Sequence, residues 1–252
     1  MSPHKKIYFA SDFHLGTPDI KDNREREKRI VSWLEHIRTD AEALYLLGDI
    51  FDFWFEYKHA VPKGAIRFLG KLSELADQGI KITLFKGNHD MWMFGYLKEE
   101  LGVEIIDDAL RLDCNGKAFY LHHGDGLGAG DRAYKLLKKI FRSPICQWLF
   151  ARLHPNLGIG IARAWSRRSR LASGQKETFQ GAEKEWLVAY AKSILQTSQI
   201  NYFIFGHRHL PLDISLSPTS RYINLGEWIH YNTYAVFDGV NLELKTWDQS
   251  ST

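Results

Sequence analysis

Leu46-Leu47-Gly48-Asp49 is an apolar run that stops on a glycine and a carboxylate, and four more stretches of the chain repeat that construction. Ser11-Asp12-Phe13-His14 follows Ile7 to Ala10, and Gly87-Asn88-His89-Asp90 follows Ile80 to Phe85. His123-Gly124-Asp125 follows Ala118 to His122, and Gly206-His207-Arg208-His209 follows Tyr202 to Phe205. Short apolar runs of this kind read as buried strands. Ligands of open α/β sheets gather beyond the carboxyl ends of the strands, so a fold that aligns these five ends brings Asp49 together with the ligand-type residues of the other four turns. Carboxylate, amide and imidazole donors without thiolate suit Mn²⁺, Fe²⁺, Zn²⁺ or a similar ion. Asp12 and His14 flank Phe13 and share one face if strand geometry persists; His207 and His209 repeat that spacing around Arg208. Gly48, Gly87, Gly124 and Gly206 allow a sharp turn and a close approach of backbone to an ion.

Between these turns the periodicity changes to that of helices. Asn23 to Arg38 carries Ile30, Val31, Leu34 and Ile37 at helical spacing, and Gly64 to Ala76 places Ile66, Leu69, Leu72 and Leu75 on one face. A short helix is expected over Phe94 to Leu101 and a longer one over Thr178 to Leu195. Strands are expected at Ala43 to Leu47, Val103 to Ile106, Ala109 to Leu112, Arg221 to Leu225, Thr233 to Phe237 and Asn241 to Trp247, the last three as an antiparallel run. Alternating strands and helices imply a layered α/β domain.

The net charge of +3 conceals an asymmetry. Leu127 to Leu171 holds ten Lys or Arg against the single acid Asp131, whereas the rest of the chain has 23 basic and 29 acidic residues. A basic surface on an otherwise mildly acidic chain points to an anionic partner. Leu136, Leu137, Ile140 and Phe141 lie at helical spacing within it, so the segment reads as a basic helical insertion. Cys114 and Cys146 have no metal-like spacing and read as structural thiols of a reducing compartment. No signal-peptide apolar region follows Met1, and no run nears the roughly 18 residues of a membrane span, so a cytosolic protein is expected.

Asp-x-His, Gly-Asp-x-x-Asp, Gly-Asn-His-Asp, His-Gly-Asp and Gly-His-x-His, in this order, resemble the calcineurin-like metallophosphoesterases over nearly the whole chain outside the insertion. The resemblance implies an α/β (α+β) fold, a four-layer αββα sandwich built from residues 1–126 and 177–252, with 127–176 as the helical insertion. It implies two divalent ions, one held by Asp12, His14, Asp49 and His209 and the other by Asp49, Asn88, His123 and His207, with Asp49 as the bridge. Asn88 and His207 would also meet the substrate. His89 would donate a proton to the leaving group or stabilise its charge, and Asp52 could accept a hydrogen bond from His89 and fix its tautomer.

Gly48-Asp49-Ile50-Phe51-Asp52-Phe53-Trp54, His123-Gly124-Asp125 followed by Asp131-x-x-Tyr134, and Leu225-Gly226-Glu227-Trp228 carry a narrower resemblance, to the UDP-diacylglucosamine pyrophosphohydrolases of lipid A synthesis. That family uses Mn²⁺ and releases UMP and an acylated sugar phosphate. By position, Asp131, Ser169, Ser173 and Lys176 would be its insertion contacts to substrate; the last three fall at i, i+4 and i+7 of one helix face. Leu136, Ile140, Phe141, Ile145, Trp148, Leu149 and Phe150 could line an acyl groove, with basic residues meeting phosphates or the anionic inner leaflet. Many members have Arg at the position of His89 and Glu at that of Asp52; the pair here is that of the general phosphoesterases, which leaves another nucleotide, nucleic-acid or phospholipid diester as the alternative. The insertion lacks the aromatic stacking series of a nucleic-acid channel, and a non-catalytic scaffold of this fold would have lost ligands that this chain keeps. His122, next to His123, should point to the opposite face and be structural, and Trp92, Trp228 and Trp247 read as packing residues.

Overall fold

The computed structural model describes residues 5–17, 20–128, 132–172 and 178–248. Eleven strands among them form two sheets. In the first sheet, β1 (Lys6–Ala10), β2 (Ala41–Leu46), β3 (Lys81–Phe85) and β4 (Glu104–Ile106) run parallel, and β10 (Thr233–Phe237) and β11 (Leu242–Thr246) add an antiparallel edge beside β1. The second has the order β5 (Leu110–Cys114), β6 (Lys117–His122), β7 (Tyr202–Phe205), β9 (Ser220–Leu225), β8 (Pro211–Ser217), with β6, β7 and β9 parallel. Phe9, Leu47, Phe85, Phe119, Ile204, Ile223 and Phe237 pack between the sheets. Helices α1 (Ile20–Ile37) and α2 (Ile66–Asp77) and the short α3 (Tyr96–Leu101) contribute Ile30, Trp33, Leu34, Phe68, Leu72 and Leu97 to a core on the outer face of the first sheet. The expected αββα sandwich is completed on the other side, where a later helix packs Leu187, Val188 and Ala191 on Tyr120, Phe203 and Tyr222. Strands covered on both faces need apolar residues at every position, which is why β7 reads as the unbroken Tyr202-Phe203-Ile204-Phe205.

Register sets where the site forms. Ala10 pairs with Leu46 and Leu46 with Leu84, so β1, β2 and β3 end level. In the second sheet His122 pairs with Phe205, so β6 and β7 also end together. Every ligand-bearing turn leaves one of these five ends.

Between β6 and the outer helix lie α4 (Arg132–Arg142), α5 (Pro144–Phe150) and α6 (Pro155–Ala172), where the basic segment was expected to be helical. Three expectations need correction. The helix sought over Thr178 to Leu195 is shorter: α7 spans Trp186–Leu195, after a 3-10 turn at Ala182–Lys184, because Gly181 (φ 102°) and an extended Glu185 interrupt it. The buried face of α2 is Phe68, Leu72 and Leu75, with Ile66 exposed at the first turn. The C-terminal strands are not one antiparallel run, since β9 belongs to the second sheet and β10 to the first; the unforeseen β8 lies at an edge, where its leading Pro211 leaves no central ladder bond unmade.

Candidate metal centre

The turns after β1 and β2 are bound to each other by backbone. Leu47 N donates to Ala10 O (2.8 Å), Asp12 N to Gly48 O (3.1 Å) and His14 N to Asp49 O (2.9 Å). The strand alternation expected of Asp12-Phe13-His14 does not occur, because β1 ends at Ala10. Asp12 and His14 are instead left-handed (φ 55° and 46°), as are Asp49 (52°), His207 (68°) and His209 (51°). Left-handed backbone crowds Cβ against the carbonyl, and such residues persist where surrounding structure holds them. The five make up most of the eight non-glycine residues with positive φ among the described residues, so the sequence spends conformational strain chiefly on these turns. Phe13 between them is fully buried, edge-on to Trp33, Phe68 and Trp228, and its packing turns both neighbours the other way.

The expected metal donors converge in two groups, beside a third cluster of His14, Asp52 and His89. His14 Nε2 lies 3.2 Å from His209 Nε2, 3.8 Å from Asp12 Oδ1 and 3.9 Å from Asp49 Oδ2, and His209 Nε2 lies 3.2 Å from Asp12 Oδ1. His123 Nε2 lies 3.5 Å from Asp49 Oδ2 and 3.1 Å from Asn88 Oδ1, and its ring centroid is 5.2 Å from that of His207. Asp49 belongs to both groups. Ligand atoms held 2.0–2.2 Å from one ion at angles of 90–120° stand roughly 2.9–3.7 Å apart, close to these separations. Tautomers fit as well: His123 Nδ1 is 2.7 Å from Leu47 O, an acceptor only, so Nδ1 carries the proton and Nε2 turns its lone pair to Asn88 and Asp49. The residues present therefore fit two divalent ions sharing Asp49.

These side chains shift one another's titration strongly. Burial opposes the charge of Asp49, but His123, His89 and His14 override it and hold the carboxyl well below its usual range. Burial likewise opposes charge on His123, yet Asp49 raises it to about 10. His207 is pushed down to about 4 by burial and by the charge of His123.

Sequence reasoning assigned no role to the residues that fix these turns. Asp90 is fully buried and accepts from Ile50 N (2.7 Å), Gly87 N (2.8 Å), Phe51 N (3.2 Å) and Asp49 N (3.3 Å), while His89 N donates to Asp49 Oδ1 (2.9 Å). The turns after β2 and β3 thus hold each other through two carboxylates. Burial, then the neighbouring charge of Asp49, raises Asp90 to about 7, against the pull of its N–H donors. Arg208, between the two ligand histidines, forms a buried bidentate pair with Glu185 (2.9 Å each) under the ring of Trp186. Nothing in the spacing of Gly206-His207-Arg208-His209 signals such a partner in the distant α7 cap. Two of the glycines also make room for side chains: a Cβ on Gly87 would fall under 3.0 Å from Asp49 N and Oδ1, and one on Gly206 would lie 2.5 Å from Asp12 Oδ2. They admit neighbouring ligand side chains as well as any ion.

His89 packs its ring edge-to-face on His14, with centroids 5.0 Å apart. Its Nδ1 is 3.1 Å from the main-chain oxygen of Asp52 and 3.2 Å from Ser166 Oγ of α6, and that hydroxyl donates to Asp52 Oδ1 (3.1 Å). His122 is buried and its Nδ1 accepts from Gly124 N (2.7 Å), in keeping with a structural role. Asp125 ties α4 to the β6 turn, accepting from Tyr134 Oη (2.6 Å) and pairing with Lys138 (2.6 Å).

Of the expected insertion contacts, Asp131, Ser173 and Lys176 lie outside the described residues, and of Ser169 only the backbone in α6 is described. The apolar residues divide into two sets. Phe141 and Phe150 pack on Trp92, Phe53 and Phe55, with Trp92 Nε1 donating to Phe141 O (2.8 Å), whereas Leu136, Ile140, Ile145, Trp148 and Leu149 are exposed. Among the described residues no helix is long and apolar enough to cross a membrane.

Residues 5–211 match the family model described as calcineurin-like phosphoesterase. The chain is 41% identical over 254 aligned positions, 96% of its length and 97% of the relative's, to a Porphyromonas gingivalis protein named UDP-2,3-diacylglucosamine hydrolase. A Pseudomonas aeruginosa protein of the same name is 29% identical over 88% of this chain and 90% of its own. Among solved structures, the Escherichia coli phosphoesterase Yfce aligns over 96% of this chain and 92% of its own at 16% identity, with a TM-score of 0.47.

Proposed function

This chain belongs to the calcineurin-like phosphoesterase family, and on that premise we propose that it hydrolyses the diphosphate of UDP-2,3-diacylglucosamine to UMP and 2,3-diacylglucosamine 1-phosphate, a step of lipid A synthesis. The observation that carries the substrate is the full-length likeness to the Porphyromonas gingivalis protein of that name. Asp12, His14, Asp49 and His209 would hold one divalent ion and Asp49, Asn88, His123 and His207 the other, both Mn²⁺ in this reading. When bound, such a pair polarises phosphoryl oxygens, supplies a nucleophile at neutral pH and neutralises charge on the leaving oxygen.

The protein's own groups then divide the remaining work. The Asn88 amide and His207 orient a phosphoryl oxygen. His89, with Nδ1 committed to the Asp52 carbonyl, presents Nε2 to the departing phosphate, where an imidazole can give a proton or counter charge. Residues 127–176 act as a lid whose exposed Leu136, Ile140, Ile145, Trp148 and Leu149 take acyl chains, with Asp131, Ser169, Ser173 and Lys176 as polar contacts. The same apolar and basic surface would rest on the anionic cytoplasmic leaflet of the inner membrane.

Incubation with UDP-2,3-diacylglucosamine and Mn²⁺, followed by product analysis, tests the reading: UMP is the expected product. Cleavage of single-stranded DNA or of a phospholipid diester with no UMP from this substrate would overturn it in favour of the alternative that His89 and Asp52 leave open.

A further inference from the structure

Helix α6 brings one polar side chain into the body of the sandwich. Ser166 is 4% exposed, although the five residues before it in α6, Ile161 to Trp165, are all half-buried or open to solvent. Its hydroxyl meets two groups of the β2 and β3 turns at once, Asp52 Oδ1 at 3.1 Å and His89 Nδ1 at 3.2 Å. The proton positions follow from the acceptors. Nδ1 also faces the Asp52 carbonyl oxygen at 3.1 Å, which cannot donate, so Nδ1 carries a hydrogen. Ser166 Oγ can then accept from that N–H and donate its own hydrogen to the carboxylate, using both capacities of a hydroxyl.

We propose that Ser166 is a positioning residue for His89: docking of α6 inserts a hydroxyl between the imidazole and the Asp52 carboxylate, locking the Nδ1–H tautomer and turning Nε2 toward the metal centre. The carboxylate that could have met His89 directly meets it through a residue 77 positions further along the chain. The packing of α6 on the sandwich and the orientation of His89 are thereby coupled. This assignment rests on His89 assisting the leaving group, part of the function proposed above, but not on the identity of the lipid substrate.

The test uses the full chain with Mn²⁺ and two small diesters, bis(p-nitrophenyl) phosphate and diphenyl phosphate, whose leaving groups are the better nitrophenol and the poorer phenol. Proton donation matters more for the poorer one, so Ser166→Ala should lower kcat for phenol release about tenfold and for nitrophenol release about twofold, with KM unchanged and Ser166→Thr restoring both. In a His89→Ala background the Ser166 substitution should add nothing. Equal losses for both leaving groups, or additive losses with His89→Ala, would overturn the proposal. A readout independent of turnover is the low-field proton of His89 Nδ1–H in ¹⁵N-histidine-labelled protein with Mg²⁺. It should be present in the wild type and in Ser166→Thr and lost or shifted in Ser166→Ala; an unchanged resonance in Ser166→Ala would overturn the proposal even if no diester were cleaved. Inactivity on UDP-2,3-diacylglucosamine with these effects intact would refute the lipid substrate alone.

Discussion

Asp90→Ala tests whether the metal centre depends on a residue that offers it no ligand. The substitution leaves four buried N–H groups, of Asp49, Ile50, Phe51 and Gly87, without their acceptor. A buried donor left unsatisfied costs about 1–3 kcal/mol. The two short bonds count nearly in full and the two longer ones in part, while release of a buried carboxylate offsets some of the loss, so a net cost of about 4 kcal/mol is expected. For a chain of this size that corresponds to a fall in Tm of roughly 8–16 °C. Thermal unfolding of chelated protein isolates the effect from metal binding, and Asp90→Asn, which keeps one oxygen but turns an amide toward N–H donors, should recover less than half. The pH dependence has a definite sign. The folded carboxyl is raised to about 7 by burial and by Asp49, so between about 4 and 7 the native state binds a proton that the unfolded chain has released, and stability falls as pH rises. Asp90→Ala should remove that slope. A Tm within about 2 °C of wild type, with the slope intact, would refute the claim that Asp90 clamps the two turns.

Asp49→Ala should abolish binding of both ions and turnover, measured by metal analysis after gel filtration; a variant that retains one ion and substantial activity would refute the bridge. Gly87→Ala should lower metal affinity by 10-fold or more without loss of fold by circular dichroism, because its Cβ meets Asp49 N and Oδ1 at under 3.0 Å. In chelated protein, burial opposes charge on His123 but Asp49 raises it to about 10 from an ordinary 6.5. Its contribution is thus fully present below about 6.5 and lost as pH rises through about 10; urea titrations should show this loss without metal and not with it, since a ligand imidazole is neutral. Neutralising Arg163, Arg167 and Arg168 should weaken sedimentation with anionic vesicles severalfold while sparing hydrolysis of a small chromogenic diester; equal loss of both would tie the insertion's charge to the catalytic centre instead.

The sequence by itself determined the layered fold and showed which ligand-type residues stand where its buried strands stop. Strands buried on both faces must be apolar throughout, so β1, β2, β3, β6 and β7 announce themselves, and ligand-type residues stand out where such runs stop. Helical spacing showed the basic segment to be helical. What the tertiary structure decided was how the ligands converge and what holds them. Asp12 and His14 share a site through left-handed backbone around a buried Phe13, a conformation that chain periodicity does not encode. Asp90, the Glu185–Arg208 pair and Ser166 act on groups 23 to 114 positions away, with which they share no local pattern. A polar residue inside a turn or on a helix looks the same in sequence whether water or a buried partner satisfies it; only the packing of one element on another removes the water and leaves the partner.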